Sequence, residues 1–596
     1  MNSKNTWLWL VLAAGLFATI CLLNRHLRPG PPASAQGWPV FPFATATSVQ
    51  VIPLKALEIQ ADRTNGNWFL SKPLVYPAQA AAIQALLDSL AKLTPVTRIT
   101  ASELRQQPAA EQDYGFDHSA LSLVIAAPDQ QWQLKIGRLT APGDQVFLRI
   151  VGVDGAFVTE AGWLKYLPRT AADWRETTLV NSSGIYDTVV LTNGAKAIEF
   201  HLDPTNHLWR MTRPLQARAD SDRINRALEQ LRSARVAEFV TDDPQADLSA
   251  YELQPAVLDL WLGHGGGLTD GLHTGKTLTN DTSLVYAKRE GWNGVVNTLK
   301  EPLAPWHGSV NDFRDTHLID FTTPVNEVTV QMGDSPNDHF TLQRAGSGTW
   351  QVAGETFPVD AEGMQDFLKL LGSLRATEFV SDVATLPDLQ TYGLTRPFMQ
   401  ITLRPTVGDT NQTLAQLSFS TPQTNGLFVR RSDEDFIYGL DATNLNRIPE
   451  ASLEFRDRRI WNFPEEDITS LTVRQNGQTR QLLHSGRNQW SLAPGSSGQI
   501  YPPTIEETSH QLGDLSAIWW VARKISDPGM VGVTTNSLQI VMDLKNGQKR
   551  TLDFGGSFGG QPVALVTLDG ERWAFIIPQI LYQLVASYLT IPANGS

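Results

Sequence analysis

Four tryptophans, Trp68, Trp209, Trp350 and Trp490, mark the chain at intervals of 141, 141 and 140 residues. A fixed period is the signature of a repeated structural unit. Each opens a similar stretch: Asn67-Trp68-Phe69-Leu70, Leu208-Trp209-Arg210-Met211, Thr349-Trp350-Gln351-Val352 and Gln489-Trp490-Ser491-Leu492. A second mark follows about 45 residues later: Tyr114-Gly115-Phe116, Tyr251-Glu252-Leu253 and Tyr392-Gly393-Leu394. A third comes about a hundred residues after the tryptophan: Trp174-Arg175-Glu176, Phe313-Arg314-Asp315 and Phe455-Arg456-Asp457. The fourth stretch departs from the pattern. Val531-Gly532-Val533 stands in the Tyr-Gly position, and no Phe-Arg-Asp follows it. Terminal repeats are often atypical because one face lacks a neighbour.

These marks predict four tandem copies of a unit of about 140 residues, large enough to bury its own core. The expected boundaries are 48–181, 182–320, 321–464 and 465–596, the last an atypical terminal copy. Within each copy a strand precedes the tryptophan strand: Ala56–Ile59, Ala197–Phe200 and Phe340–Leu342. An amphipathic helix follows. Its apolar face is Ile83, Leu86, Leu87, Leu90 and Leu93 in the first copy, and Ile224, Leu228 and Leu231 in the second. In the third, Asp360 is the expected N-cap of Met364, Phe367, Leu368, Leu371 and Leu374; in the fourth the face is Leu512, Leu515 and Ile518. Period-two alternation at Leu121/Leu123/Ile125, Leu258/Leu260/Leu262 and Met399/Ile401/Leu403 predicts half-buried antiparallel strands. Two further strands and a short C-terminal helix complete the unit. Without a βαβ rhythm the class is α+β.

Trp7 to Leu23 is an unbroken apolar run of 17 residues. That is the short end for a spanning helix. The competing reading is a cleaved signal peptide ending at Ala33-Ser34-Ala35. Arg25 and Arg28 stand between the apolar core and that site, which favours an uncleaved transmembrane anchor over residues 1–28. Cys21 is the single cysteine and reads as an ordinary residue of the anchor, leaving no disulfide framework and no thiolate metal site. Residues 29–47, rich in Pro, Ala, Ser and Thr, read as an extended stalk. The flanking charges do not settle orientation.

The stretches Trp68–Pro73 (WFLSKP) and Trp209–Pro214 (WRMTRP), with the helix, the Tyr-Gly mark and the closing Phe-Arg-Asp in order, resemble a bacterial family known as domain of unknown function 4340. The third and fourth copies lack the basic-Pro ending. The resemblance implies single-pass membrane proteins with an accessory role in the cell envelope, beside components of an ABC-type export or gliding apparatus. It favours repeats on the extracytoplasmic side of the cytoplasmic membrane and supplies no catalytic residue.

A net charge of −13 leaves no electrostatic footprint for nucleic acid. Three segments imitate enzyme motifs. Gly555-Gly556-Ser557-Phe558-Gly559 fits the nucleophile-elbow pattern, but a strand follows it where a helix is required. His264-Gly265-Gly266-Gly267 reads as a hairpin turn. Gly275-Lys276-Thr277 lacks the upstream glycine of a phosphate loop. Histidines are scattered singly, so neither metal nor cofactor is expected. The repeat marks Trp68, Trp209, Trp350, Trp490, Tyr114, Tyr251, Tyr392, Arg175, Arg314 and Arg456 read as core and junction residues. The expected function is therefore a membrane-anchored, non-enzymatic scaffold or accessory subunit binding envelope proteins. The alternative is a binder of envelope polysaccharide or peptidoglycan through Trp132, Trp163, Trp261, Trp292, Trp306 and Trp519-Trp520.

Overall fold

Alternating apolar residues make the sheets. In a computed structural model describing residues 38–590, apart from 40, 42, 54, 118–120, 195, 322, 334–337 and 424–425, the first sheet has nine strands. They are β1 (Ser48–Pro53), β2 (Ile59–Thr64), β3 (Asn67–Lys72), β4 (Tyr76–Pro77), β5 (Pro95–Ile99), β6 (Leu121–Ala127), β7 (Gln130–Leu139), β8 (Gln145–Ile150) and β9 (Ala156–Glu160). Their spatial order is β4-β3-β2-β1-β6-β7-β8-β9-β5. Neighbours pair antiparallel, as at β1 with β2 and with β6. The helix Ala80–Ala91 carries the chain from one edge to the other, so that β5 closes the far side against β9. It buries Ile83, Leu86, Leu87 and Leu90 in one core with Val49, Val51, Trp68, Leu123, Ile125 and Trp174.

The same order recurs strand for strand in a nine-stranded sheet over residues 188–299. Two eight-stranded sheets, over 327–440 and 468–576, keep the order without the two-residue fourth strand. Each has its helix: Ser221–Ser233, Ala361–Ser373 and Pro502–Gly513. Asp220 and Asp360 cap the first two of these, accepting from the backbone N–H of Arg223 and Glu362. The class is thus mostly antiparallel strands in several sheets with a few helices.

Tertiary contacts divide the chain into two compact units, up to Arg314 and from Asp315. Within each unit the chain passes between sheets in one way. In the first, Ala78 bridges Arg175, and Val236 N–H then donates to the Thr177 carbonyl at 2.7 Å. In the second, Val359 bridges Arg456, and Ala517 N–H donates to the Arg458 carbonyl at 2.7 Å. Ala376 N–H makes the same bond to Thr316. The segment after each arginine mark thus pairs with backbone that follows the next sheet's helix, through single bridges at Thr178–Arg235 and His317–Arg375 and through a separate two-stranded ladder of Arg459–Asn462 with Asp514–Ser516. It buries Leu179 and Val180, Leu318 and Ile319, or Ile460 and Trp461. These pairings begin within a few residues of each arginine mark.

Other expectations are corrected locally. The end of the expected stalk is packed: Phe43 and Ala46 are buried, and Trp38 meets Phe157 edge-on at 5.1 Å. Three aromatics there outweigh the Pro/Ala composition. The first strand before the tryptophan begins at Ile59, with Leu57 exposed. In the fourth helix Ile505 joins Leu512 on the buried face, while Leu515 and Ile518 lie beyond the helix. It stops at Gly513, where a Cβ would meet the Phe463 carbonyl at 2.3 Å, and Asp514–Ser516 then pairs with Arg459–Asn462. In the third helix Leu370, not Leu368, is the buried residue. The C-terminal helix of the first three copies is a pair of 3-10 turns, such as Ala161–Tyr166 and Ala171–Trp174. Trp7–Leu23 and Cys21 lie outside the described residues, among which no helix is long and apolar enough to cross a membrane.

Trp209 is 1% exposed and its indole N–H donates to Asn225 at 2.9 Å. Trp209→Ala is expected to cost about 3–5 kcal/mol through the cavity it leaves. Trp350 is only partly buried, so Trp350→Ala should cost about 1–2 kcal/mol. Thermal unfolding checks this ordering; equal shifts for both variants would refute it.

Candidate functional site

The second mark builds one turn in all four sheets. The residue after the mark's first position is left-handed each time: Gly115 (φ +78), Glu252 (+56), Gly393 (+70) and Gly532 (+77). Val531-Gly532 therefore keeps the backbone although the tyrosine is gone. In the other three the half-buried tyrosine packs against a ring of the sheet, tilted or edge-on. Tyr114 lies 4.5 Å from Phe147, Tyr251 4.9 Å from Tyr286 and Tyr392 4.7 Å from Phe428.

The third mark buries a cation. Arg175 is 3% exposed, with its guanidinium carbon 3.6 Å from the Phe239 ring centre and 4.2 Å from that of Tyr76. Its two terminal nitrogens donate to the two Asp242 oxygens at 3.0 and 2.7 Å. Tyr76 belongs to the first sheet; Phe239 and Asp242 come from the second. Arg456, also buried, sits 4.0 Å from Trp573, 5.1 Å from Trp520 and 5.7 Å from Phe357. The polarity of the ion pair is reversed there. Arg523 of the fourth sheet forks onto Glu355 of the third, and Asp569 stands 4.0 Å from Arg456. Arg523 is the main influence holding the Glu355 carboxyl below its usual range, through the hydrogen bond. Arg314 is equally buried. Tyr76 and Phe239 escaped the sequence reading, and Trp292 was read only as a candidate for sugar binding. The usable signal was their offset: Tyr76 to Phe357, Phe239 to Trp520, Trp292 to Trp573 and Arg175 to Arg456 are all 281 residues apart.

The first mark is not uniform. Trp68, Trp209 and Trp490 are buried, and the fifth helix residue holds the indole N–H in two cases, Asn225 at 2.9 Å and Glu506 at 2.6 Å. Trp490 also stacks on His484 at 4.2 Å. In the third sheet the corresponding Gln365 is exposed, and it lines an open groove of about 510 Å³ with Trp350, Phe321, Leu368, Arg344 and Lys369. Trp350 is thus a wall of a groove, contrary to the core role expected of it. Of the other tryptophans, Trp163, Trp306 and Trp520 are buried, and Trp132, Trp261 and Trp292 are partly covered. Trp519 is 39% exposed.

The look-alike motifs resolve into repeat positions. A Cβ on Gly137, Gly275 or Gly555 would lie 2.1, 2.0 or 2.3 Å from the carbonyl of Tyr114, Tyr251 or Val531. These glycines let the second-mark turn rest on the sheet. Gly275 of the phosphate-loop imitation and Gly555 of the elbow imitation are therefore the same structural residue. Ser557 continues along Lys549–Phe558 and pairs with Pro562. It lines a cavity of about 550 Å³ among whose walls are no histidine and no carboxylate. His264 and Gly267 close a hairpin whose tip, Gly265-Gly266, has φ +62 and +85. Among the described residues no group of three His, Cys, Asp or Glu is placed to hold a metal ion.

The Asp242 side chain is 43% exposed, so the aromatic sandwich rather than the ion pair carries most of the Arg175 energy. Arg175→Ala should cost about 2–4 kcal/mol and Asp242→Asn about 1 kcal/mol or less, read from chemical unfolding. A depressed carboxyl stabilises fully above its usual pKa and loses that contribution as pH falls through the lowered value. Glu355→Gln should accordingly flatten the acid limb of the stability profile below about pH 4.5. Gly555→Ala should destabilise by about 1–3 kcal/mol, whereas Ser557→Ala should melt like the parent. A neutral Gly555→Ala would contradict the close approach.

Comparison with known proteins agrees with the marks. The family model described as Domain of unknown function (DUF4340) matches residues 68–194, 209–388 and 384–529. No curated protein matches. Among solved structures, a double mutant of the vaccine antigen transferrin binding protein B from Haemophilus parasuis aligns with 89% of this chain and 95% of its own. It does so at 7% identity and a TM-score of 0.07, which carries no argument. With three tandem segments matched over more than half of its length, the chain belongs to the family described as domain of unknown function (DUF4340).

Proposed function

We propose that the protein is a non-enzymatic scaffold or accessory subunit of the bacterial envelope, built of four copies of one unit after a membrane anchor at residues 7–23. The copies correspond to the four sheets and stand on the extracytoplasmic side of the cytoplasmic membrane. The observation that supports this most is the way consecutive sheets are joined. A buried guanidinium held between the aromatic rings of two sheets at Arg175, and again at Arg456, favours a joining role for these two marks. Family membership favours the envelope setting, and an ABC-type export or gliding-type assembly is the partner class it suggests. N-terminal sequencing of protein from native membranes should begin at Met1 or Asn2; a start at Gln36 would mean a cleaved, secreted chain. Pull-down of the anchored protein should bring down defined membrane subunits. Recovery of the chain alone, after mild solubilisation and crosslinking, would count against the scaffold.

A second reading is favoured by one feature. Phe321 and Trp350 line one open groove with Gln365 and Arg344, a combination suited to sugar rings with polar substituents. In that reading the protein binds envelope polysaccharide or peptidoglycan. Titration with soluble peptidoglycan fragments should then saturate with the parent and fail with Trp350→Ala.

A further inference from the structure

The cavity of about 550 Å³ in the fourth sheet lies where the other three sheets keep a pair of packed rings. The first ring position is the second mark itself. Its carbonyl rests over Gly137, Gly275 or Gly555, which makes Val531 the counterpart of Tyr114 and Tyr251. The second position follows from strand register. Phe147 precedes Leu148, the partner of Ile136; Tyr286 precedes Ala287, the partner of Thr274; Phe428 precedes Val429, the partner of Phe419. By the same rule Val563, preceding Ala564, the partner of Phe554, is their counterpart. Two rings have become two valines, and both valines line the cavity. Met530 and Phe558, 79% and 57% exposed, stand at its mouth.

We infer that this cavity is a docking pocket for an aromatic side chain of a partner protein, carried on a short segment with an acidic residue beside it. The backbone frame that seats a tyrosine against a ring in the sister sheets is retained, so an inserted ring meets walls already shaped for one. Arg523 is engaged with Glu355, while the Lys524 side chain at the rim is 58% exposed and makes only a long ion pair, 3.8 Å, with Glu571. No Asp or Glu lines the pocket, so a neighbouring acidic group on the guest is the complementary charge. The Met530 thioether supplies an adaptable apolar edge for the ring. This inference deepens the scaffold reading and rests on it for the nature of the partner.

The test uses the full-length chain in lipid nanodiscs and a fluorescein-labelled peptide, Gly-Ser-Asp-Phe-Glu-Gly, followed by anisotropy. The parent should bind it saturably, and the same peptide with alanine for phenylalanine should bind about tenfold more weakly or worse. The doubly filled variant Val531→Tyr/Val563→Phe should lose binding while its melting temperature holds or rises, because the rings restore the sister packing. Lys524→Glu, at an exposed rim position, should weaken binding about tenfold without changing the melt, and it decides the matter if the filled variant does not fold. Absence of saturable binding to the parent, or undiminished binding to the filled variant or to Lys524→Glu, would overturn the pocket. Because the peptide titration involves no membrane partner, it reports on the pocket whatever the pull-down shows. Conversely, a partner that still co-purifies with a folded, filled variant overturns the pocket as its docking site and leaves the scaffold standing.

Discussion

A guanidinium buried between aromatic faces is the interaction on which the junction within each unit turns. A charge at 3% exposure is tolerable only where desolvation is repaid by several fixed partners. Arg175 has two rings and a forked carboxylate; Arg456 has three rings and a more distant one. Neither sheet of a junction supplies this set alone. The first sheet contributes the arginine and Tyr76, the second Phe239 and Asp242. The arginine also bridges the backbone just ahead of its own sheet's helix, and the residues after it pair with backbone just past the next sheet's helix. Core, crossing and cation are therefore one cooperative feature, unlike the small polar contact that usually separates neighbouring domains.

Much of this was legible in the sequence, for identifiable reasons. Strands with strict alternation, such as Leu258/Leu260/Leu262, and helix faces such as Ile224/Leu228/Leu231 report their own burial, because period alone sets which side chains share a face. The helix cap Asp360 was readable for the same local reason. Trp350 was not. Its burial depends on whether a helix side chain closes over the indole, and Gln365 does not do so where Asn225 and Glu506 do. The packed end of the stalk was missed because composition was weighed over residues 29–47 while Trp38, Phe41 and Phe43 act individually. The cage residues Tyr76 and Phe239 are invisible to local pattern. They meet only across two sheets, and their common offset of 281 residues emerges only when alternate copies are compared.

The imitation motifs show why short patterns mislead in a repeated fold. Glycine at 137, 275 and 555 is demanded by a carbonyl that would sit within 2.3 Å of any added Cβ. Once that glycine is fixed, neighbouring residues drift freely, and a lysine or a serine beside it completes a familiar signature by chance. What separates signature from chemistry is the element that follows. A nucleophile elbow needs a helix to present its serine, and Gln561–Leu568 is a strand.

The reversed ion pair carries a consequence for assembly order. At the first junction the following sheet brings the carboxylate, Asp242; at the third-to-fourth junction it brings the cation, Arg523, and the preceding sheet answers with Glu355. Near-identical folds on one chain invite the wrong neighbour to dock during synthesis. Were the fourth sheet to settle on the first, Arg523 and Lys524 would face the buried Arg175 in place of Asp242, and like charges at low exposure repel strongly. Charge placement would thus disfavour that mispairing between otherwise similar sheets.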